Sequence, residues 1–141
     1  MSRENVELVR AAYHAVVRED WDAAAPMFHP DAEFRGTVGG VEPEIVEHGL
    51  QRFRKFQDED REAWDERRFQ PEEFVDAGDR VVVFQREFRR GRGSGIEVEA
   101  STAVIFEVRD GQVVLVQGYM DRFAALEAVG LRDSPPMTRP A

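Results

Sequence analysis

The stretch 113-VVLVQGYMDRFAALEAVGL-131 begins as a run of strand-forming residues and ends as an amphipathic helix, with Asp121 where one becomes the other. A strand period of two puts Val113, Leu115, Gln117, Tyr119 and Asp121 on one face, and Val114, Val116, Gly118 and Met120 on the other. Apolar residues on both faces predict a strand covered on each side, by the core and by a partner subunit. Asp121 then has two readings. At the rim of an apolar cavity it would donate and accept protons. As the residue before RFAALEAVGL it would cap the helix or pair with an arginine.

Toward the N-terminus, Val6, Val9, Tyr13, Val16 and Val17 recur at three- and four-residue steps and predict a first helix, with Ser2 as its N-cap. In EDWDAAAPMFHPD, Asp20 caps a short second helix, Pro26 sits in its first turn and Pro30 ends it. A short strand AEFR and a glycine-rich loop GTVGGVEPEIVEHG come next, a segment suited to cover a pocket mouth. Leu50, Phe53 and Phe56 mark a third helix running to about Trp64. From there RRFQPEEFVD, DRVVVFQREFRR, IEVEASTAVIFEVRD and QVVLVQGYMD, joined by DAGD, GRGSG and RDGQ, predict consecutive antiparallel hairpins. Pro71 restricts its strand to a sheet edge or a bulge. The plan is α+β, three helices on one face of a meandering sheet and a short last helix stopped by Gly130. Residues 133–141, with Pro135, Pro136 and Pro140 and no apolar periodicity, read as a disordered tail on a single domain spanning 1–132.

Composition narrows the partners. Net charge is −9, from 28 acids against 19 bases, so the averaged field repels phosphate backbones and anionic lipid surfaces, and no nucleic-acid or membrane partner is expected. No apolar run approaches the ~20 residues of a membrane helix. The N-terminus carries charge where a signal peptide would be apolar, and there is no cysteine, which predicts a cytoplasmic protein without disulfides. The arginines of REFRRGRGSG sit at a hairpin tip without an aromatic stacking platform and read as a charged edge that discourages sheet-to-sheet pairing. No histidine or acid cluster has metal-ligand spacing, and no nucleotide loop is visible, so neither metal nor cofactor is expected.

Taken in order, ENVELVRAAYHAV, DWDAA with FHPDAEF, EFVDAGDRVVV, GSGIEVE and VRDGQVVLVQGYMDRFAALEAVGL resemble the SnoaL-like branch of the NTF2-like, or ketosteroid isomerase-like, superfamily over nearly the whole chain short of the tail. The resemblance implies a curved sheet wrapped around a long helix, a cone whose mouth admits a small apolar organic ligand, and a homodimer formed through the sheet. It also aligns Asp121 with the acid/base aspartate of cyclase-type members, and Tyr13 with the helix-one tyrosine of ketosteroid isomerases. That isomerase mechanism, itself a standard worked case of pKa tuning, needs two further aspartates. The corresponding segments here read EFRGTVGG and STAVIFEV and contain none.

Two functions remain. In the first, Asp121, assisted by His48 or Tyr13, performs cofactor-independent proton transfer of isomerase, cyclase or dehydratase type on a polyketide-like or terpenoid-like compound. The second is a noncatalytic small-molecule-binding homodimer. Trp21, Phe28, Phe34, Phe53, Phe56, Trp64, Phe84 and Tyr119 are the candidate ligand-binding aromatics in both, with some of them plain core.

Overall fold

The computed structural model describes residues 2–131. The tail assigned to 133–141 lies outside the described residues. Helix α1 (Ser2–Val17) buries Val9 and Tyr13 of the stripe its spacing predicts, together with Ala12 and Ala15, while Val6, Val16 and Val17 pack partly buried beside them; Ser2 falls in its first turn. Helix α2 (Trp21–Ala24) is capped by the Asp20 carboxylate, which accepts the Ala23 N–H at 3.2 Å; a 3-10 turn, Ala25–Met27, comes after it with Pro26 near its start. Then come β1 (Phe28–Val38), β2 (Val46–His48), α3 (Leu50–Arg61), β3 (Trp64–Ala77), β4 (Arg80–Gly91), β5 (Glu97–Arg109), β6 (Gln112–Tyr119) and α4 (Arg122–Ala128). No helix among the described residues is long and apolar enough to cross a membrane.

One six-stranded sheet, in the order β2-β1-β6-β5-β4-β3, carries the architecture. Strands β3 to β6 form an antiparallel meander, and β1 joins β6 in parallel. The turn between β5 and β6 uses Asp110 and Gly111, both at positive φ, as a two-residue type I′ connection requires. Pro71 meets both of its conditions, since β3 is an edge strand and its register shifts between Pro71 and Glu73.

Three features differ from the sequence reading. β1 is much longer than AEFR: it passes through Pro30, where its pairing with β6 is irregular, and continues into the glycine-rich segment. That segment folds back so closely that a side chain at Gly36 would collide with the Glu42 carbonyl, and Val46–His48 pairs with β1 as β2. Helix α3 is shorter than expected and stops at Arg61, because Arg92, just past β4, holds residues 62–64 out of the helix. Its guanidinium donates to the carbonyls of Glu62 and Trp64 at 2.9 and 3.0 Å.

The third difference concerns faces. Val108 pairs with Val113 and Glu107 with Leu115, so Val114 is an extra residue, a β-bulge that reverses the alternation of β6. Val113 and Val116 consequently pack in one core with Val9, Tyr13, Phe34, Val83 and Phe106, under the helices. Tyr119 joins Val82, Phe84, Ala103 and Ile105 on the opposite face, against Ala125 and Val129 near or in α4. Part of the apolar outer face that the sequence assigned to a partner subunit is thus packed against α4. Arg122 fastens this helix: its guanidinium lies over Phe84 and donates to Glu72 at 2.6 Å, to the Gln85 carbonyl at 2.9 Å and to the Thr102 carbonyl at 3.2 Å.

Candidate functional site

On β4, alternate residues face the helices, and their character changes along the strand. Val81 and Val83 belong to the apolar core; Gln85, Glu87 and Arg89 continue the same face as polar residues. Tyr13 donates its hydroxyl to Gln85 Oε1 at 2.6 Å. Gln85 Nε2 donates to Thr102 Oγ1 at 3.2 Å and to Glu87 Oε2 at 3.1 Å. Thr102 Oγ1 donates to the same Glu87 oxygen at 2.7 Å, and Arg89 Nη2 reaches Glu87 Oε1 at 3.1 Å. Asp60 of α3 closes the series, accepting from Arg89 at 3.2 Å and from Arg67 of β3 at 2.8 Å, while Arg67 also donates to Gln57 at 3.1 Å.

An unbroken chain of hydrogen bonds therefore crosses the concave side from α1 to α3. It is largely withdrawn from water: Gln85 is 5 % exposed, Thr102 2 % and the Arg67 side chain 8 %. Burial pushes the Tyr13 phenol well above its ordinary range, and the nearby Glu87 charge adds to the effect. Burial also lowers the proton affinity of Arg67, against the opposing pull of Asp60. Such a chain can orient a ligand's polar end beside an apolar floor, and it places one carboxylate, Glu87, inside the cone.

The aromatics divide between the two faces. Trp21, Phe28, Phe34 and Phe53 form one assembly: Phe53 stacks on Phe34 at 4.4 Å, Phe34 lies 5.7 Å from Phe28, and Trp21 meets Phe53 edge-on at 6.3 Å. Phe56, half-exposed on α3, and Trp64, beneath the Arg89 guanidinium at 5.3 Å, belong to the open end of the same side. Phe84 and Tyr119 are separated from these by the sheet.

The proposed acid/base residues are not gathered in one place. Tyr13 is in the buried chain. His48 is exposed on the short edge strand β2, opposite Glu33. Asp121 is exposed at the start of α4, where its carboxylate accepts the Phe123 N–H at 2.8 Å; it faces the amides of the following helix. The sequence reading passed over Gln57, Asp60, Arg67, Gln85 and Thr102, and it took Glu87 and Arg89, within REFRRGRGSG, for part of a charged edge at a hairpin tip; β4 is instead an inner strand between β5 and β3, and both side chains turn into the chain of hydrogen bonds. A signal for part of this set existed, because Gln85, Glu87 and Arg89 share the parity of the core valines Val81 and Val83.

The SnoaL-like domain family model matches residues 9–116. No curated protein matches the chain. Among solved structures, TerC co-crystallised with polyporic acid is 24% identical with a TM-score of 0.71, covering 89% of this chain and 98% of that one. An NTF2-like protein of unknown function from Burkholderia pseudomallei K96243 is 21% identical at a TM-score of 0.71, over 90% and 98% of the two chains. A hypothetical protein with a ketosteroid isomerase-like fold from Catenulispora acidiphila DSM 44928, in complex with trimethylamine, is 17% identical at 0.67, over 92% and 98%. At these identities the likeness shows the fold alone.

Asp121→Ala should cost about 0.5–2 kcal/mol in denaturant unfolding, and Asp121→Asn, which keeps a capping oxygen, close to nothing. Tyr13→Phe should cost about 1–3 kcal/mol at pH 7, since Gln85 Oε1 loses its donor inside the core. The sign of its pH dependence is set by the raised folded-state pKa. Above pH ~10 the unfolded tyrosine releases its proton and the folded one keeps it, so this contribution to stability is whole below that pH and declines above it. The gap between the natural protein and Tyr13→Phe should therefore narrow between pH 7 and pH 11 in urea titrations.

Proposed function

This chain belongs to the SnoaL-like domain family, and on that premise we propose that it binds a small, mostly apolar organic molecule in the cone between α1, α3 and the concave face of the sheet. The observation that carries the reading is the gradient along that face, from Val81 and Val83 at the closed end to Gln85, Glu87 and Arg89 at the open one. Apolar walls with a few convergent polar groups are the usual composition of a small-molecule site. Two fold relatives were crystallised with small organic molecules, polyporic acid and trimethylamine, which supports a ligand of that size.

The binding reading takes precedence over the catalytic one because Asp121 is occupied as a cap, and His48 stands on an exposed edge strand away from the chain that contains Tyr13. Proton transfer on a polyketide-like or terpenoid-like carbonyl compound is kept as the second reading on one observation, the Glu87 carboxylate inside the cone.

Titration with N-phenyl-1-naphthylamine, a neutral apolar fluorophore, tests the binding reading. Saturable enhancement at micromolar concentration is expected, with at least a tenfold loss of affinity in Ala100→Trp, which fills the concave face opposite Glu87. An unsaturable signal, or one indifferent to Ala100→Trp in a folded variant, would sink it. The homodimer belongs to the same proposal, with a smaller outer-face contact than the strand pattern suggested, around Phe88, Leu115 and the exposed Phe123. Light scattering at micromolar concentration should return twice the single-chain mass; the single-chain mass removes the dimer and leaves the ligand site standing.

A further inference from the structure

At the open end of the cone, the unmet hydrogen-bonding capacity lies on the donor side. Trp64 Nε1 is buried and finds no acceptor among the described residues, and an indole N–H can only donate. Arg67, nearly enclosed, makes both of its hydrogen bonds through Nη1, so Nε and Nη2 have no partner among the described residues. Acceptors are better served. Glu87 Oε2 takes donors from Gln85 and Thr102, Glu87 Oε1 takes Arg89, and Asp60 Oδ2 takes both Arg67 and Arg89, so that of these four carboxylate oxygens Asp60 Oδ1 alone has no donor among the described residues. A molecule that completes this region has to bring an acceptor. Burial without full compensation, which lowers the proton affinity of Arg67, favours a charged one.

The surroundings define the rest of such a molecule. The guanidinium of Arg89 lies 5.3 Å from the Trp64 ring and 5.5 Å from the Phe69 ring, and that of Arg67 lies 5.5 Å from Phe69. Across the strand pairing, Val98 stands opposite Arg89 and Ala100 opposite Glu87; Val98 is 48% exposed although its strand position is on the concave side. Flat rings and a bare aliphatic wall on either side of two guanidinium groups suit an aromatic body with a planar anionic end. The charge of Arg67 and Arg89 is matched here by Asp60 and Glu87, so the region is neutral within a chain of net charge −9 and does not share its general repulsion of anions.

The geometry points to a subsite for the carboxylate of an aromatic acid, held by the free donors of Arg67, by Arg89 and by the Trp64 indole N–H, with the ring of the acid against Phe69 and Trp64. This assignment rests on the ligand-binding reading above and names the chemical class of the ligand. Arg67 would hold the carboxylate through Nε and Nη2, leaving its Nη1 bonds to Gln57 and Asp60 in place.

Two probes of equal shape separate the claim from plain apolar binding: 2-naphthoate and its neutral carboxamide. Calorimetric titration of the unaltered protein should show at least tenfold tighter binding of the carboxylate, a preference that shrinks as salt is raised. In the 15N-labelled protein the chain's two tryptophans give two indole N–H signals. The Trp64 signal, assigned by its loss in Trp64→Phe, should move downfield on addition of 2-naphthoate. Arg67→Met should abolish the preference and keep the carboxamide affinity, and Arg67→Lys should retain part of the preference. Equal affinity for the two probes overturns the subsite and leaves the cone as an apolar site. Binding of 2-naphthoate without movement of the Trp64 signal also overturns it. Failure of both probes to bind at millimolar concentration overturns the subsite together with the reading on which it rests.

Discussion

The hydrogen bond from Thr102 Oγ1 to Glu87 Oε2, at 2.7 Å, is the contact to which the others on the concave side are answerable. A carboxylate placed on the same strand face as core valines is costly unless its oxygens are filled by donors. Three strand positions are committed to that requirement: Thr102 on β5, Gln85 two residues away on β4 and Arg89 two residues beyond. Gln85 in turn has an oxygen to satisfy, which Tyr13 of α1 supplies, and Arg89 has a charge that Asp60 of α3 shares. The helices are therefore positioned over the sheet by polar as well as apolar contacts. A partly satisfied network would be worse than a purely apolar core, which explains why the set is so nearly complete.

Completeness has one exception, and it falls where the cone opens. Trp64 Nε1 and the Nε and Nη2 of Arg67 lie near the start of β3, where the strand has just left α3. Deeper in, Phe53 stacks on Phe34 and Phe34 meets Phe28 at a tilt, as aromatic side chains do in an ordinary core.

Local chemistry was the legible part of the sequence. Asp20 as a cap, Asp110-Gly111 as a hairpin turn and Pro71 at an edge with a bulge each depend on backbone preferences of a few adjacent residues, and the structure has each of them where the letters put it. The faces of β6 were not legible, because the bulge at Val114 is created by pairing with Glu107 and Val108 on another strand, and nothing within VVLVQGY marks it. The same limit hid the polar chain. Gln85, Glu87 and Arg89 announce their common face within β4, but Thr102, Asp60 and Arg67 come to them only through sheet register and helix docking. β1 was underestimated for a related reason: its strand character beyond AEFR comes from β2 and β6 on either side, not from its own glycine-rich composition.

The tether made by Arg122 links the two surfaces of the molecule. Its guanidinium holds α4 through the carbonyls of Gln85 and Thr102, the two residues whose side chains build the inner chain. One rung of the sheet therefore serves two masters, its backbone turned to the outer helix and its side chains to the interior. A tilt of α4 would pull on the rung rather than on a loop, and a displacement of Gln85 from the inner side would be felt at the seat of α4. The sheet acts at this point like a drumskin, thin enough for a touch on one side to register on the other.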